Sequence, residues 1–280
     1  MNIYDIAKLA NVSIATVSRV VNNSPKVSPK TKEKVLAVMK ENEYTPNAFA
    51  RGLGLGSMKT VGIICPNIDD IYMAKAVSYL ERNLHAHGYD CILGCSGFKQ
   101  EEKEDYVRLL LSKKIDTLIL VGSTYAGNGK DESDTDYIRE AAEQVSIFMI
   151  NAKVSGDNIY CTYADDFQAT YEVTKAFIRR GKEKILFMYD SESYSARQKM
   201  AGYEAALQDA GYPIRGNLKF KTKNDIEYTR DMLLEYNRTL DFDSVLATED
   251  GIAIGAVKYA KIKGLAIPEE LAVVGYNNSI

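Results

Sequence analysis

Residues 3–22 read IYDIAKLANVSIATVSRVVN, and the spacing of their apolar side chains predicts two short helices separated by a break. The break falls at residues 11–13, where Ser13 is a good N-cap for the second helix. We place this second helix over residues 14–21. Its apolar side chains are expected to pack back on the first helix, and these are Val17, Val20 and Val21.

This pair of helices is compatible with a simple packing unit and with a helix-turn-helix that reads DNA. A helix that enters a major groove, which is about 12 Å wide, needs a slim leading face able to hydrogen-bond. The small and hydroxyl side chains of residues 14–18 meet that need, and Arg19 could make a bidentate contact with guanine. The charge favours the DNA reader, because residues 1–57 hold 8 Lys/Arg against 4 Asp/Glu, whereas residues 58–280 hold 27 against 34.

From residue 60 onward, short apolar runs alternate with amphipathic stretches of helical period. The predicted strands are Val61–Cys65, Cys91–Cys95, Thr117–Val121, Ser146–Ile150, Lys184–Met188, Leu218–Lys221, Ser244–Ala247 and Leu271–Gly275. The predicted helices lie near residues 72–87, 100–113, 135–144, 166–180, 196–210, 225–238 and 251–263. Apolar strands alternating with helices predict a parallel sheet covered on both faces. The segment is large for one sheet, so we expect two α/β lobes that change over near residues 155–165.

Composition excludes several classes of protein. The chain is 46% hydrophobic and 26% charged, which is ordinary for a globular protein. No apolar run reaches the roughly 20 residues that a membrane span needs, and the N-terminus lacks a secretory signal pattern. Four cysteines in 280 residues do not suggest a disulfide scaffold, so we expect a reduced, cytoplasmic protein that does not engage a membrane.

The sequence also gives little support for catalysis or metal binding. His85, His87, Cys91 and Cys95 could suggest zinc, but they straddle a helix end and a buried strand, so their side chains should diverge. The glycines of residues 52–56 follow no strand and do not form a phosphate loop. With two histidines in the chain and no serine elbow or paired catalytic carboxylates, we expect no enzyme, no metal and no cofactor.

The run at residues 3–22 closely resembles the headpiece of the LacI/GalR family of bacterial transcription regulators, the lac repressor family. Residues 27–31, 34–35 and 44–51 resemble it as well. Asn11 departs from the family pattern, which usually has Gly at this turn. A positive φ explains both residues, because Asn is the next most tolerant of that conformation. The resemblance implies a helix-turn-helix headpiece over residues 1–46.

Double-stranded operator DNA is the partner that this resemblance implies. Ile14 and Ala15 would open the recognition helix and choose the bases, and their small apolar side chains favour thymine methyl groups or DNA shape over direct hydrogen bonds. Contacts to phosphate fix the register, while contacts to base edges fix the sequence that is read. The other implied DNA-contacting residues of the headpiece are Tyr4, Ser13, Thr16, Ser18, Arg19, Asn22 and Ser28.

A hinge helix or linker is implied for residues 47–58, with Asn47, Ala50 and Leu53 at the DNA. Leu53 would act as an apolar wedge that enters the minor groove and kinks the duplex. Interior glycines destabilise a helix by about 0.8–1 kcal/mol each relative to alanine, so we expect this segment to be ordered only on DNA. A flexible linker over residues 52–57 is the alternative.

The rest of the chain, residues 59–280, resembles the effector domain of the same family, which shares its fold with periplasmic sugar-binding proteins. The resemblance rests on residues 60–68, 163–166, 195–203, 247–255 and 268–278. Polar side chains that follow strands or open the next helix are candidates to bind a sugar-like effector between the lobes. These candidates are Asp69, Tyr72, Asn151, Asp166, Arg197, Glu249, Asp250 and Asn277, with Asp70 beside them.

Taken alone, each of these polar residues is better explained as a helix cap or a solvated loop residue, Asp166 and Asp250 especially as N-terminal caps, but as a set they favour a binding site. Arg197 is the strongest candidate, because a guanidinium fork holds two hydroxyls at once. Two departures from the family pattern point to an unusual ligand. Asn277 replaces the usual Asp, and the pattern around residues 70–73 is largely lost.

The sequence therefore predicts a homodimeric transcription regulator, a repressor by this resemblance, that acts on a near-palindromic operator under control of a small carbohydrate-type effector. The N-lobe would cover about residues 59–160 and the C-lobe about residues 161–280. Family members normally continue past the last strand, so we expect the segment that returns to the first lobe to be missing. A sugar-binding protein without a regulatory role is the alternative, and a sugar-modifying enzyme is a more distant one.

Overall fold

The computed structural model describes residues 1–45, 57–127, 132–236 and 241–279. The N-terminal unit contains α1 (Ile3–Leu9), α2 (Ile14–Val21) and α3 (Pro29–Glu41). The three helices enclose a small apolar core, and the predicted packing of α2 on α1 is confirmed. The buried side chains of this core are Ile6, Ala7, Ala10, Val17, Val20, Val35 and Met39.

Short polar side chains fix where these helices begin. The Ser13 hydroxyl accepts a hydrogen bond from the Thr16 amide at 3.1 Å, and the Ser28 hydroxyl accepts one from the Thr31 amide at 3.2 Å. Each cap satisfies an amide that has no partner within its own helix. The turn between α1 and α2 places Asn11 at a φ of 48°, which confirms the positive φ predicted there.

The next part of the chain forms a five-stranded parallel sheet. Its strands are β1 (Thr60–Cys65), β2 (Asp90–Cys95), β3 (Thr117–Val121), β4 (Ser146–Ile150) and β5 (Ile159–Thr162), in the order β2-β1-β3-β4-β5. Its helices are α4 (Ile71–Ala86), α5 (Gln100–Ser112) and α6 (Asp136–Ala142). Short 3-10 turns at Ser123–Ala126 and Glu132–Thr135 complete this unit, which we call the N-lobe.

A second parallel sheet, of four strands, follows. Its strands are β6 (Ile185–Tyr189), β7 (Lys219–Lys221), β8 (Ser244–Ala247) and β9 (Ala272–Val274), in the order β7-β6-β8-β9. Its helices are α7 (Asp166–Arg179), α8 (Tyr194–Asp209), α9 (Ile226–Tyr236) and α10 (Asp250–Lys263), with a 3-10 turn at Gly216–Leu218. We call this unit the C-lobe.

Helices cover both faces of each sheet. In the N-lobe, Val77 of α4 packs on one face, while Leu110 of α5 and Ile138 of α6 pack on the other. In the C-lobe, Phe177 of α7 packs on one face and Leu233 of α9 on the other. Fully burying such a side chain stabilises a fold by roughly 1.5–3 kcal/mol. This arrangement explains the apolar runs of the strands, because both sides of a strand face a core.

The predicted strands and helices are found within about two residues of their predicted ends, except that the end predicted at residue 238 lies outside the described residues, and both sheets are parallel as predicted. Strand β5 was not predicted, and its four residues alternate between half-buried and exposed at the edge of the first sheet. Within the described ranges, no helix is both long enough and apolar enough to cross a bilayer.

Candidate functional site

One face of α2 is free of core contacts. Ile14 at its start is 41% exposed, and Ala15 and Arg19 are also exposed. On the opposite face, Val17 and Val20 are buried in the core of the headpiece. The exposed face therefore presents small side chains and one guanidinium, which is what a helix needs to lie in a major groove.

The other headpiece residues implied in DNA contact differ in how exposed their side chains are. Tyr4 on α1 is 65% exposed, while Thr16 and Ser18 are half-buried. The Ser13 and Ser28 hydroxyls serve as helix caps. The half-buried Asn22 ends α2, and the predicted hinge contacts Asn47, Ala50 and Leu53 lie outside the described residues.

A second candidate site is a cavity between the two lobes. It has an inner part with a volume of about 120 Å³ and an adjoining, wider outer part of about 570 Å³, and the two parts share six lining residues. Asn67 after β1 and Asn151 after β4 line it from the N-lobe, while Asp190 after β6, Glu249 after β8 and Asn277 after β9 line it from the C-lobe. Because all these strands are parallel within their sheets, their carboxyl ends meet at the cavity.

The structure brings five of the eight predicted effector-binding residues to this cavity. Tyr72, Asn151, Glu249 and Asn277 line the inner part, and Asp69 lines the outer part. The neighbouring Asp70 lines both parts. Asp70 also accepts a hydrogen bond from the Met73 amide at 2.9 Å, so it caps α4 as well.

The other three predicted residues, Asp166, Arg197 and Asp250, are not among the lining residues of the described cavity. Asp166 is buried and accepts a hydrogen bond from the Tyr276 hydroxyl at 2.6 Å. Asp250 accepts hydrogen bonds from the amide and hydroxyl of Ser279 at 2.5 and 2.8 Å. These two carboxylates hold the segment after β9 in place, and direct contact of all three residues with an effector stays a prediction.

Glu249 is the most perturbed carboxyl group of the cavity. Burial raises its pKa from 4.5 to about 7, although the charge of Lys199 opposes that rise. The Asn277 side-chain amide donates a hydrogen bond to Glu249 at 2.8 Å. At neutral pH this carboxyl group therefore exists in both protonation states, and a bound ligand can shift it to either one.

Lys199 of α8 lines the cavity and was not predicted as a site residue. It is 3% exposed, its ammonium group donates a hydrogen bond to the Thr248 carbonyl at 3.2 Å, and it lies 3.7 Å from the centre of the Tyr276 ring. Burial lowers its pKa. Helical spacing could have indicated that Lys199 is buried. It follows Ser195 by four residues and precedes Tyr203 by four, and all three lie on the buried face of α8.

Three hydroxyl groups of the cavity wall were also not predicted. The hydroxyls of Thr124, Ser195 and Thr248 are buried and have no hydrogen-bond partner among the described residues. A buried hydroxyl without a partner destabilises a protein by about 1–3 kcal/mol. A ligand that bonds these groups would recover that loss, so the wall is suited to a molecule rich in hydroxyl groups.

Metal binding has no comparable support. Within the part of the chain that the structure describes, no group of three or more His, Cys, Asp and Glu side chains could hold a metal ion. Cys65, Cys91, Cys95 and Cys161 are all free thiols. The ring of His87, which caps the end of α4, contacts the Asn83 carbonyl of that helix at 2.7 Å.

A three-helix unit with an exposed reading helix, followed by two parallel α/β lobes around a polar cavity, defines the class of ligand-sensing DNA-binding proteins. Residues 2–47 match the family described as bacterial regulatory proteins, lacI family. Residues 58–279 match the periplasmic binding proteins and sugar binding domain of LacI family. The chain belongs to the LacI family of bacterial regulatory proteins.

Curated relatives agree with this assignment along the whole chain. An HTH-type transcriptional regulator of Lachnoclostridium phytofermentans is 47% identical over 281 residues, which cover 100% of this chain and 84% of that protein. Catabolite control protein A of Staphylococcus xylosus is 32% identical over 282 residues, covering 100% of this chain and 83% of that protein.

The fold is also that of solved family members. A crystal structure of the lac repressor dimer bound to operator and the anti-inducer ONPF superposes with a TM-score of 0.86 at 23% identity. The match covers 99% of this chain and 82% of that one. The expected fold of a helix-turn-helix headpiece and two parallel α/β lobes is therefore confirmed.

Proposed function

We propose that this protein is a homodimeric, sequence-specific transcription regulator that binds operator DNA through α2 and a small carbohydrate-type effector between its lobes. The observation that carries the proposal is that one chain holds both an exposed reading helix and a polar cavity lined from two lobes. Both relatives described above bear the names of regulators. This role is not enzymatic, and it places the protein in the cytoplasm with its operator.

On DNA, α2 would lie in the major groove with Ile14 and Ala15 toward the bases. Arg19 is exposed near the end of the same helix and can bind guanine or a phosphate oxygen. One headpiece reads one half-site, so a dimer suits a near-palindromic operator whose half-sites are related by the same symmetry. Leu53 of the hinge would add a minor-groove wedge.

In the cavity, an effector would take hydrogen bonds from both lobes. Asn151 belongs to the N-lobe, whereas Glu249 and Asn277 belong to the C-lobe. A ligand held by both sides stabilises one relative position of the lobes over another. Coupling between effector and DNA is reciprocal, so an effector that weakens operator binding must itself bind less tightly to the DNA complex.

Operator binding tests the proposal directly. Fluorescence anisotropy would measure the affinity of the full chain for DNA from the region upstream of its own gene, over a series of salt concentrations. We expect affinity to fall steeply as salt rises, because bound phosphates release counterions. We also expect preference for this DNA over a shuffled sequence of the same composition.

A matched pair of variants distinguishes sequence-specific binding from non-specific electrostatic attraction to DNA. Arg19→Ala should weaken specific binding by about 1–3 kcal/mol, because it removes the exposed guanidinium of α2. Lys40→Ala removes an exposed cation at the end of α3 and should change affinity little. Equal affinity for specific and shuffled DNA, with no effect of Arg19→Ala, would contradict the regulator and leave a sugar-binding protein without a regulatory role.

A further inference from the structure

The interlobe cavity carries an excess of negative charge. Its two parts share three carboxylate side chains, those of Asp70, Asp190 and Glu249. The cation that lines the inner part is Lys199, and the described residues of the outer part include no Lys or Arg. A neutral sugar would leave this excess without a counter-charge.

The wider outer part adds three more carboxylates, of which one is already paired. Glu227 forms ion pairs with Lys258 and Arg230. Asp225 accepts a hydrogen bond from the Tyr228 amide at 2.7 Å, and Asp69 is exposed. A positively charged ligand would therefore be attracted at the entrance as well as inside.

Lys199 offsets only part of the charge of the shared carboxylates, because it lowers the pKa of Glu249 and of Asp190 but supplies one positive charge against three carboxylates. Its ammonium group is occupied by the Thr248 carbonyl and the Tyr276 ring. The pKa of Asp190 stays raised, chiefly by burial and to a smaller extent by the charge of Asp70, although Lys199 lowers it. The titratable or charged groups that interact with Glu249 are Asp70, Tyr72, Asp190, Lys199 and Tyr276, and the Asn277 amide donates a hydrogen bond to it.

We propose that the effector is an amino polyol, such as an amino sugar, whose protonated amine lies between Asp70, Asp190 and Glu249. This inference rests on the proposed function, since it names the chemical class of the effector of that same site. An ammonium group has three donors and a full charge, so it can bond several carboxylates at once through strong charge-assisted hydrogen bonds.

Three hydroxyl groups of the cavity wall are available as hydrogen-bond partners for the hydroxyl groups of such a ligand. The Ser195 and Thr248 side chains are 4% and 2% exposed, and their hydroxyls have no partner among the described residues. The Thr124 hydroxyl is buried and unpartnered in the same way. These hydroxyls both donate and accept, so they suit the polyol part of the ligand, while the carboxylates suit its amine.

Calorimetric titration of the full chain without DNA tests the proposal with matched pairs of ligands. The amines are glucosamine, galactosamine, mannosamine and glucamine, and their neutral counterparts are glucose, galactose, mannose and sorbitol. We expect at least one amine to bind about tenfold or more tightly than its counterpart, since hydrogen bonds to charged groups are the strong ones. If no amine binds more tightly than its neutral counterpart, the proposal is wrong.

Substitutions in the acid cluster sharpen the test. Glu249→Gln and Asp190→Asn should each remove most of the preference for the amine while leaving the affinity for the neutral counterpart much less affected. Glu101→Gln changes an exposed carboxylate on α5 and should leave the preference intact. A preference that survives both cavity substitutions in folded protein, checked by thermal melting, would also overturn the proposal.

The dependence on pH gives a further readout. An alkyl amine such as glucamine keeps its proton from about pH 6 to about pH 8, as lysine does. Glu249 loses its proton over this range because its pKa is about 7, so the affinity for glucamine should rise with pH in the wild type. The rise should disappear in Glu249→Gln, and a rise of equal size in that variant would contradict the assigned position of the amine.

Operator binding is measured separately, so the two proposals fail in different ways. If an amine binds selectively and operator affinity does not respond to it, the regulatory role fails while the ligand class stands. If operator affinity responds to a neutral hexose and no amine binds more tightly, the regulatory role stands and the ligand class is wrong.

Discussion

The headpiece and the interlobe cavity build their binding surfaces in opposite ways. The candidate DNA surface of the headpiece consists mainly of adjacent residues on α2, and the exposed face is simply the one that the core leaves free. The cavity collects side chains that follow strands of two sheets and are separated by up to about 200 residues. The DNA surface can therefore be predicted from a short stretch of sequence. The cavity cannot, because its lining depends on how the two lobes meet.

The largest effect is expected from a substitution in the headpiece core, which should abolish DNA binding without changing ligand binding. Val17→Asp places a carboxylate in the headpiece core, where the Val17 side chain is fully buried, and should cost several kcal/mol. We expect operator affinity to disappear while ligand binding in the cavity is unchanged. Hydrogen exchange of residues 1–45 should rise sharply, as measured by mass spectrometry of the full chain.

Leu36→Asp is the matched control, because Leu36 on α3 is 44% exposed. Leu36 lies next to the buried Val35 in the sequence but is outside the headpiece core. Its exchange should stay close to that of the wild type. A loss of ligand binding in Val17→Asp would show that the two regions do not behave separately.

Glu249 should make the stability of the C-lobe depend on pH. Since the folded pKa of Glu249 is raised to about 7, its contribution to stability is full below the unfolded pKa and is lost as pH rises through about 7. We expect the thermal stability of Glu249→Gln to exceed that of the wild type progressively between about pH 5 and about pH 8. A constant difference across this range in thermal melts would contradict the raised pKa.

Two buried threonines in the C-lobe should respond differently to the same change. The Thr174 hydroxyl donates a hydrogen bond to the Thr170 carbonyl at 2.8 Å, whereas the Thr248 hydroxyl has no partner among the described residues. Thr174→Val should lower the free energy of unfolding by about 1 kcal/mol. Thr248→Val should leave it unchanged or raise it, and should weaken binding of the ligand found by calorimetry. Equal losses of stability in the two variants would argue against a ligand-binding role for Thr248.

The smallest expected effect compares two asparagines with positive φ. Asn11 has a φ of 48° in the headpiece turn, and Asn151 has a φ of 62° beside the cavity. Glycine tolerates this conformation better, so each Asn→Gly change should stabilise its region by at most about 1 kcal/mol. Asn11→Gly should leave ligand binding unchanged, while Asn151→Gly should weaken it. If both changes left ligand affinity unaltered, Asn151 would be a turn residue like Asn11.

The predicted helices of the headpiece and the positive φ of Asn11 follow from local sequence, because caps and apolar spacing act within a few residues. In the two lobes, Asn151, Glu249 and Asn277 could be predicted as cavity residues because each follows a strand whose carboxyl end lies at the cavity. Helical spacing alone puts Lys199 on the buried face of α8, but its place at the cavity depends on contacts with Thr248, just after β8, and with Tyr276, after β9.

Arg197 was predicted as a site residue but does not line the described cavity. Its position at the start of α8 follows from the sequence, but whether its guanidinium reaches the cavity depends on side-chain direction. Strand β5 was missed because a four-residue edge strand has neither the length nor the continuous apolar run of its neighbours.

The strand order of the N-lobe has a consequence for the way in which the chain folds. Because β1 is hydrogen-bonded between β2 and β3, its pairing is incomplete until residues 117–121 are available. The headpiece core closes within residues 6–39, and contacts so close in sequence form faster than non-local strand pairs. During synthesis the N-terminal unit emerges first, so we expect a folded headpiece to precede the lobes that control it.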